Sequence, residues 1–243
     1  MIGDHKIVVL QFSGGRDSLA TLHYMRPWWD RIIVLWTNTG DAFPETIAQM
    51  QQIKAMVPNF VEANSDQPSQ NARSGYPSDL VPVWDTDIGR LYHTGRMYKM
   101  QSAMACCNEN IWIPMDKASR MLGATMVIRG QRDSETIKSS IRSGHEEGGI
   151  TYLFPIQDWT REQVHDFLLK EGVPVPGNYD TMNTSLDCQH CTAYLAENRG
   201  KFTYMRERHA PLYFENIRRL QYNMNAQRVE MSHALAIIDE SAG

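Results

Sequence analysis

The sequence predicts an α/β fold in which helices cover a parallel sheet, and three observations lead to it. Short apolar runs rich in β-branched residues recur along the chain, at Ile7–Phe12, Ile32–Trp36, Thr125–Arg129 and Tyr152–Ile156. Turn-forming glycine or asparagine residues follow the first two runs, as expected where buried parallel strands end. Segments with helical spacing lie between the runs, so strand alternates with helix in a doubly wound pattern.

Ordinary start and stop residues delimit the helices in chain order. The first helix follows a glycine-rich turn and ends before Pro27. The second is predicted to begin at Pro44, because proline is favoured at the first helical position, and to end before Pro58. A later helix is predicted after Thr160, which forms a capping box with Gln163.

Two parts of the chain are expected to differ in organisation. Residues 1–175 are predicted to form a nucleotide-binding α/β domain, and residues 176–243 a cysteine-containing helical segment that packs on it. Pro, Gly, Ser and Asp are frequent between Asn64 and Tyr98, where no clear period is visible. The stretch at about 64–100 is therefore interpreted as a lid-like insertion with little regular structure.

Composition excludes several classes of protein. With 243 residues, of which 42% are hydrophobic, the chain can bury one sizeable core. A formal net charge of −4 argues against a protein that coats nucleic acid by bulk charge. The apolar run near the N-terminus is too short for a signal peptide, and no run reaches membrane-spanning length. A cytoplasmic protein without membrane contact is expected, in which four cysteines indicate metal ligation or chemistry.

The turn after the first strand, Ser13-Gly14-Gly15-Arg16-Asp17-Ser18, lies where phosphate binding is natural. Two glycines allow a tight turn with exposed N–H groups, the helix that follows adds partial positive charge, and the serines supply hydroxyl donors. Asp17 would repel a phosphate unless Mg²⁺ or a donor network intervened. The alternative is an ordinary strand-to-helix turn with a serine cap. Neither the Walker A ending nor the dinucleotide fingerprint is present.

Four segments carry a resemblance to a known family. The turn resembles the PP-loop of enzymes that split ATP between its α and β phosphates. Residues Thr37–Thr46, Arg129–Glu135 and Phe154–Thr160 are similar to ordered motifs of the phosphoadenylyl-sulfate reductases, although Ser134 and Glu135 stand in reverse order. The chain thus resembles the family of those reductases and their ATP pyrophosphatase relatives over roughly residues 6 to 192.

The resemblance implies a Rossmann-like adenine nucleotide alpha hydrolase fold with ligand at the strand ends. It also implies Asp17, Arg129 and Arg132 as catalytic residues, the arginines acting as guanidinium clamps for phosphate or sulfate oxygens. For Arg142 alone, a solvated salt bridge is the favoured explanation. The implied nucleotide-binding residues are Ser13, Gly14, Gly15, Arg16, Asp17, Ser18, Thr39, Gly40, Gly130 and Arg142.

All four cysteines occur in pairs, as Cys106-Cys107 and as Cys188-x-x-Cys191. Thiolates at these spacings can converge on one metal or cluster. The pattern resembles the ligands of a 4Fe-4S cluster in adenylyl-sulfate reductases, and the resemblance favours a cluster. A structural zinc site, a redox disulfide at the second pair and inert thiols stay open as alternatives.

One departure from the reductases decides the predicted function. Those enzymes attack sulfur with a cysteine in a C-terminal segment, whereas no cysteine follows Cys191 here. If all four cysteines hold a cluster, no nucleophilic thiol remains. We therefore expect a PP-loop ATP pyrophosphatase that adenylates an acceptor during iron-sulfur-dependent thio-modification of nucleic acid. A sulfonucleotide reductase that yields sulfite, and a non-catalytic nucleotide-binding subunit, are the alternatives.

The expected ligands and partners follow from that hypothesis. ATP, or another adenine nucleotide such as adenylyl sulfate, would bind with Mg²⁺. A sulfur donor such as a cysteine desulfurase and a nucleic-acid acceptor are compatible with the sequence, and so is a homodimer. Basic and aromatic residues interleave between Arg199 and Arg219, which suits a nucleic-acid acceptor, although an amphipathic helical face explains the same pattern.

Overall fold

A computed structural model describes residues 2–80, 98–135, 140–186, 188–196 and 199–242. Its main sheet has six strands in the order β3-β2-β1-β6-β8-β7, and a separate two-stranded sheet pairs β4 with β5. The strands are β1 Val8–Gln11, β2 Ile32–Asn38, β3 Phe60–Asn64, β4 Tyr76–Ser78, β5 Met100–Ser102, β6 Met126–Ile128, β7 Glu146–Glu147 and β8 Ile150–Leu153.

Five strand pairings hold the main sheet together, and four of them are parallel. All neighbours from β3 to β8 run parallel, and only β7 pairs antiparallel with β8. From β1 the chain moves first to β2 and β3 on one side, and then crosses to β6 and β8 on the other. The strand order therefore reverses between β1 and β6, and ligands of such sheets bind at the carboxyl ends of the strands beside that point.

Helices cover the sheet and extend beyond it. They are α1 Arg16–Tyr24, α2 Pro44–Met56, α3 Gln67–Ser74, α4 Ala103–Cys107, α5 Ile113–Met121, α6 Arg161–Lys170, α7 Arg199–Arg208 and α8 Ala210–Ala242. A π-helical turn at Asn108–Trp112 joins α4 to α5. None of the helices in the described ranges is long and apolar enough to cross a membrane.

The predicted fold class is confirmed, including the second helix, which begins at Pro44 as expected. The capping box of Thr160 and Gln163 is also present at the start of α6. Successive strand residues point to opposite sides of the sheet, and each side is buried in its own apolar cluster. One cluster includes Leu10, Leu22 and Ile128, and the other Val9, Leu35 and Val127.

The stretch at 64–100 differs from the expectation of a region with little regular structure. It contains α3, which begins after Asp66, whose side chain accepts from the Ser69 N–H at 3.0 Å. The helix ends at Gly75, which has a φ of +96°. Polar residues of this helix, among them Gln67 and Gln70, are buried, so its inward face has no apolar period. Residues 81–97 of the predicted lid lie outside the described residues.

Candidate active site

The glycine-rich turn at residues 13–18 joins β1 to α1 and forms the floor of the site. Gly14 has a φ of +83°, and a Cβ there would lie 2.7 Å from a methionine side chain of α2, so only glycine fits. The Gly15 N–H donates to Ser13 Oγ at 3.4 Å, and the Ser18 hydroxyl donates to the Gly15 carbonyl at 2.8 Å. The turn presents the exposed Ser13 and the N-terminus of α1 to the cleft, which suits a phosphate.

A cleft of about 1440 Å³ opens above this turn, at the reversal point between β1 and β6. Most of the residues that line it are polar, and they include most of those that the sequence assigned to nucleotide binding or catalysis. Those brought together here are Ser13, Gly15, Arg16, Asp17, Ser18, Arg129, Gly130 and Arg132. The clustering of residues from two strand ends makes the cleft the candidate nucleotide site.

A buried ion pair connects the turn to the segment after β6. Arg132 is 5% exposed, and its Nη2 donates to Asp17 Oδ2 at 3.0 Å. The second guanidinium nitrogen, Nη1, donates to the hydroxyl of Ser134 at 2.6 Å. Because Arg132 offsets the charge of Asp17, the carboxylate can lie beside a phosphate without a metal ion. The site geometry therefore does not require Mg²⁺, which stays a prediction from the sequence.

Arg129 lies on the same wall of the cleft. Its Nε donates to Gln11 Oε1 at 2.7 Å, and its guanidinium lies 5.1 Å from the centre of the Tyr152 ring. Burial lowers the pKa of Arg129 from its ordinary value. Within the described ranges no carboxylate forms a salt bridge with it, so an anionic ligand in the cleft would supply the missing counter-charge.

Gly130 allows the backbone after β6 to lie directly against the start of α1. A Cβ at this position would lie 2.8 Å from the carbonyl oxygen of Asp17, so the backbone after β6 touches the start of α1. Close backbone approach therefore requires glycine at position 130.

Glu135 also lines the cleft, and it accepts from the Arg132 N–H at 3.0 Å. Burial raises the pKa of Glu135 above its ordinary value.

Tyr179 contacts the phosphate turn, and no pattern in the sequence predicts this contact. Its hydroxyl accepts from the Arg16 N–H at 2.9 Å, and the Arg16 guanidinium lies 4.8 Å from its ring centre. Tyr179 belongs to a single 3₁₀ turn, Gly177–Asp180, which has no periodic pattern. Its oxygen thus bonds one of the N–H groups that a phosphate would use at the start of α1.

The four cysteines line a second, smaller chamber of about 150 Å³ beside the cleft. It is mainly apolar, and the two cavities share wall residues: Ser13, Ile111, Met115, Ser185 and Tyr194. Cys106 and Cys107 come from the end of α4, whereas Cys188 and Cys191 come from the loop before α7. Residues more than 80 positions apart in sequence therefore meet next to the phosphate turn, as the paired spacing predicted.

The thiols are not arranged as a finished metal site. Among the described residues, no group of three or more His, Cys, Asp or Glu side chains is placed to hold a metal ion. Burial, together with the neighbouring Cys107 and Cys191, raises the pKa of Cys106 to about 12. The donor type suits a cluster, but the ligand set is not assembled as the side chains stand. The 4Fe-4S cluster and its zinc alternative therefore rest on the sequence alone.

Buried side chains from α7 and α8 fix the loop that carries the second cysteine pair. Lys201 Nζ donates to the carbonyls of Cys188 and Cys191, at 3.1 and 2.9 Å. Asn216 donates to the Gln189 carbonyl at 2.9 Å, and Arg219 to the His190 carbonyl at 3.3 Å. All four carbonyls of the loop are thus satisfied by three residues that are at most 2% exposed.

This carbonyl clamp, formed by Lys201, Asn216 and Arg219, changes the interpretation of the basic C-terminal segment. Two of the six basic residues between Arg199 and Arg219 point inward and bind the cysteine loop. They are therefore unavailable to a nucleic acid. Charge and aromatic spacing alone do not reveal which basic residues are buried.

Asp41 holds the same loop from the side of β2. Its Oδ1 lies 2.6 Å from His190 Nδ1, and its Oδ2 accepts from the His190 N–H at 3.0 Å. The backbone carbonyl of Asp41 accepts from the Gln189 N–H at 2.8 Å. Asp41 is 4% exposed, so these bonds form away from water. Asp41 and His190 are 149 positions apart, so no local pattern in the sequence links them.

The remaining predicted residues lie elsewhere. Thr39 lines the thiol chamber, where its Oγ1 is 3.5 Å from Cys188 Sγ. Gly40, with a φ of +77°, follows it in the turn after β2 and is not among the residues of either cavity wall. Arg142 is exposed and pairs with Asp133 at 2.5 Å, away from the cleft. It matches the solvated salt bridge that the sequence favours.

Comparison with known proteins identifies relatives of this architecture. Residues 7–194 match the sequence model of the phosphoadenosine phosphosulfate reductase domain. A phosphoadenosine 5′-phosphosulfate reductase of Alkalilimnicola ehrlichii is 25% identical over 203 residues, covering 80% of this chain and 74% of the relative. A protein of the same name from Baumannia cicadellinicola is 26% identical, covering 68% and 62%.

Two further matches are a relative named for a different sulfonucleotide and a solved structure. An adenosine 5′-phosphosulfate reductase of Deinococcus radiodurans is 25% identical over 65% of this chain, which spans only 56% of that relative. The crystal structure of a phosphoadenylyl-sulfate reductase from Candida auris, in a phosphate complex, superposes with a TM-score of 0.53. The two sequences are 18% identical, and the match covers 76% of this chain and 82% of the Candida auris chain, which supports the fold.

These relatives correct the predicted function. The hypothesis of an ATP pyrophosphatase serving thio-modification of nucleic acid is wrong, because the curated relatives described above are all named as sulfonucleotide reductases. The alternative of a reductase fits better. The physical reason for the error is that a phosphate turn recognises the phosphate of an adenine nucleotide and does not distinguish a pyrophosphate from a sulfate attached to it.

Proposed function

The chain belongs to the phosphoadenosine phosphosulfate reductase family, and we propose that it reduces an adenylyl sulfate, with or without a 3′-phosphate, to sulfite. The observation that carries this proposal is the thiol chamber beside the phosphate cleft, with Ser13 and Ser185 in the walls of both. A sulfonate attached to a phosphate on the turn would extend toward the thiols, which is the positioning that such a reaction needs.

The nucleotide would be held by charges that the cleft already directs inward. Arg129 and the N-terminus of α1 supply positive charge, while Arg132 neutralises Asp17. As the sulfur–oxygen bond breaks, negative charge develops on the phosphate oxygen that leaves. A guanidinium preorganised at that place stabilises this charge without reorganisation during the reaction.

Cys188 is the proposed attacking thiol and Cys191 the resolving thiol. Cys188 is the less buried of the two, and its sulfur lies 3.5 Å from the Thr39 hydroxyl, which can donate to a thiolate. The Cys191 N–H donates to the Cys188 carbonyl at 3.2 Å, so the loop folds the two residues toward each other. A Cys-x-x-Cys pair of this kind is suited to disulfide chemistry.

The reaction balances with one external dithiol. The Cys188 thiolate forms a bond to the sulfonate sulfur, and the bond from that sulfur to the phosphate oxygen breaks, releasing the nucleoside 5′-phosphate. The Cys191 thiolate then attacks Cys188 Sγ and expels sulfite with the bonding electron pair, leaving a disulfide. A reduced dithiol protein of the thioredoxin class restores both thiols by exchange.

A cluster held by all four cysteines would exclude this use of Cys188. Iron and acid-labile sulfide should therefore be measured on protein purified without oxygen. We expect no stoichiometric iron at Cys188 and Cys191. Four-cysteine ligation, seen as iron content that falls equally in Cys106→Ser and Cys188→Ser, would contradict the assignment of the attacking thiol.

The activity itself is tested by product analysis. Reduced protein is incubated with adenylyl sulfate, or with its 3′-phosphorylated form, and a thioredoxin-class reductant. We expect sulfite and the nucleoside phosphate in equal amounts, and loss of sulfite in Cys188→Ser. ATP in a parallel reaction should give no pyrophosphate. Absence of sulfite from both sulfonucleotides would refute the proposed function.

A further inference from the structure

Two buried polar side chains in the wall of the thiol chamber have unused hydrogen-bonding capacity. Thr37 is 6% exposed and Gln67 is 1% exposed, and both line the chamber. Among the described residues, neither the hydroxyl oxygen of Thr37 nor the amide oxygen of Gln67 has a hydrogen-bond partner. Buried polar groups are nearly always hydrogen-bonded, because an unpartnered one destabilises the fold. Such a pair in one cavity wall points to a polar ligand in the chamber.

The wall of the thiol chamber is otherwise poorly suited to a charged group. None of the described residues that form it is Lys, Arg, His, Asp or Glu. In the proposed reaction the sulfonate of the substrate extends from the phosphate turn toward Cys188, so it brings a negative charge into this mainly apolar space. A buried anion without hydrogen-bond donors is strongly disfavoured. The reaction therefore needs donors in this wall that are not already engaged.

We propose, on the basis of the proposed reductase function, that Thr37 and Gln67 bind the sulfonate oxygens of the substrate. The Thr37 hydroxyl can donate a hydrogen bond as it stands. Gln67 can present its NH₂ group, because rotation of the amide exchanges the nitrogen with an oxygen that has no hydrogen bond to lose. Sulfonate oxygens only accept hydrogen bonds, so two uncharged donors hold them and fix the direction in which the sulfur faces.

The end of β2 brings these donors to the proposed attacking thiol. Thr37 lies in β2, where it is paired with Ala63 of β3. The Gln67 N–H donates to the Thr39 carbonyl at 2.9 Å, which ties the first residue of α3 to the turn after β2. The Thr39 hydroxyl lies 3.5 Å from Cys188 Sγ. Both donors are thus held by backbone bonds before substrate binds, as electrostatic preorganisation requires.

Binding to Cys188→Ser tests this assignment without turnover, because that variant lacks the attacking thiol. Dissociation constants are measured by calorimetry for adenylyl sulfate and for AMP, which lacks the sulfonate, and for the 3′-phosphorylated form of each. Thr37→Val and Gln67→Met, each combined with Cys188→Ser, should raise the constant for the sulfonucleotide by about 10- to 100-fold, since each removes a hydrogen bond to a charged group. The constant for the nucleoside phosphate should stay within about twofold, because none of its contacts is removed.

Thr125→Val is the matched control. The Thr125 hydroxyl donates to the Ile7 carbonyl at 3.1 Å, and Thr125 is not among the residues of either cavity wall. This variant should leave every dissociation constant unchanged and should unfold at lower urea, because it loses a hydrogen bond. Thr37→Val and Gln67→Met should not unfold earlier than the natural chain, since they remove unpartnered groups. A purely structural role for Thr37 and Gln67 would give the opposite result.

The outcomes separate this proposal from the reductase function. Equal changes in the constants for sulfonucleotide and nucleoside phosphate, or no change for the sulfonucleotide, would overturn the assignment of Thr37 and Gln67. The reductase function would still stand if the natural chain forms sulfite. A selective loss of sulfonucleotide affinity, in a chain that forms no sulfite, would support the sulfonate site and refute the reaction. A Cys188→Ser protein that binds neither sulfonucleotide would overturn both.

Discussion

Replacing Lys201 by methionine is expected to destabilise the loop that carries Cys188 and Cys191. The substitution keeps the length and apolar stem of the side chain and removes the ammonium, which is 2% exposed and donates to two loop carbonyls at 2.9 and 3.1 Å. Hydrogen bonds from a charged donor contribute about 1.5–3 kcal/mol each.

The net effect is smaller than the sum of the two bonds. Removal of the ammonium also removes the cost of keeping a charge away from water, which offsets part of the loss. We expect the free energy of unfolding to fall by about 2–4 kcal/mol. Lys201→Arg should recover part of the loss, because its guanidinium can still donate to carbonyls.

The assay is urea unfolding followed by circular dichroism. Lys54→Met on the exposed surface of α2 is the control, since surface substitutions change stability by about 0.5 kcal/mol or less. A Lys201→Met variant as stable as this control would refute the reasoning that the carbonyl clamp supports the cysteine loop.

Two further predictions concern the packing around α1. Gly130→Ala should lower the free energy of unfolding by about 1–3 kcal/mol, because its Cβ would lie 2.8 Å from the Asp17 carbonyl, whereas Gly177→Ala, with no atom within 4 Å, should have little effect in the same urea titration. Burial, and then the nearby Arg26 charge, lower the pKa of His23 from its ordinary value of 6.5. The folded state therefore favours the neutral imidazole, whereas the unfolded chain takes up a proton below pH 6.5. The free energy of unfolding should fall as the pH drops below that value. His23→Phe should flatten this dependence in unfolding curves recorded between pH 7 and 5; an unchanged slope would contradict the assignment.

The sequence was sufficient for the parts of the site that local chemistry determines. The turn at 13–18 follows a strand and opens a helix, and that context alone predicts its place at the end of β1. The pairing of the cysteines likewise predicts that they meet, because chance does not place all four in pairs. The structure brings them to one chamber.

The parts that the sequence did not reveal depend on tertiary contacts. The sequence does not distinguish Lys201 and Arg219 from surface cations. Their burial depends on the packing of α7 and α8 against the cysteine loop. Helix α3 is polar on its buried face, so no hydrophobic period marks it. The nature of the group attached to the nucleotide phosphate is not encoded in a turn that binds phosphate, and this explains the mistaken ATP hypothesis.

The most direct test of the proposed reaction is to trap its covalent intermediate in Cys191→Ser. Without the resolving thiol, one equivalent of sulfonucleotide should release one equivalent of nucleoside phosphate and no sulfite. Peptide mass spectrometry should then find one SO₃ group on Cys188. Nucleotide release without any sulfonated cysteine, or a sulfonate on Cys106 or Cys107 instead, would contradict the account.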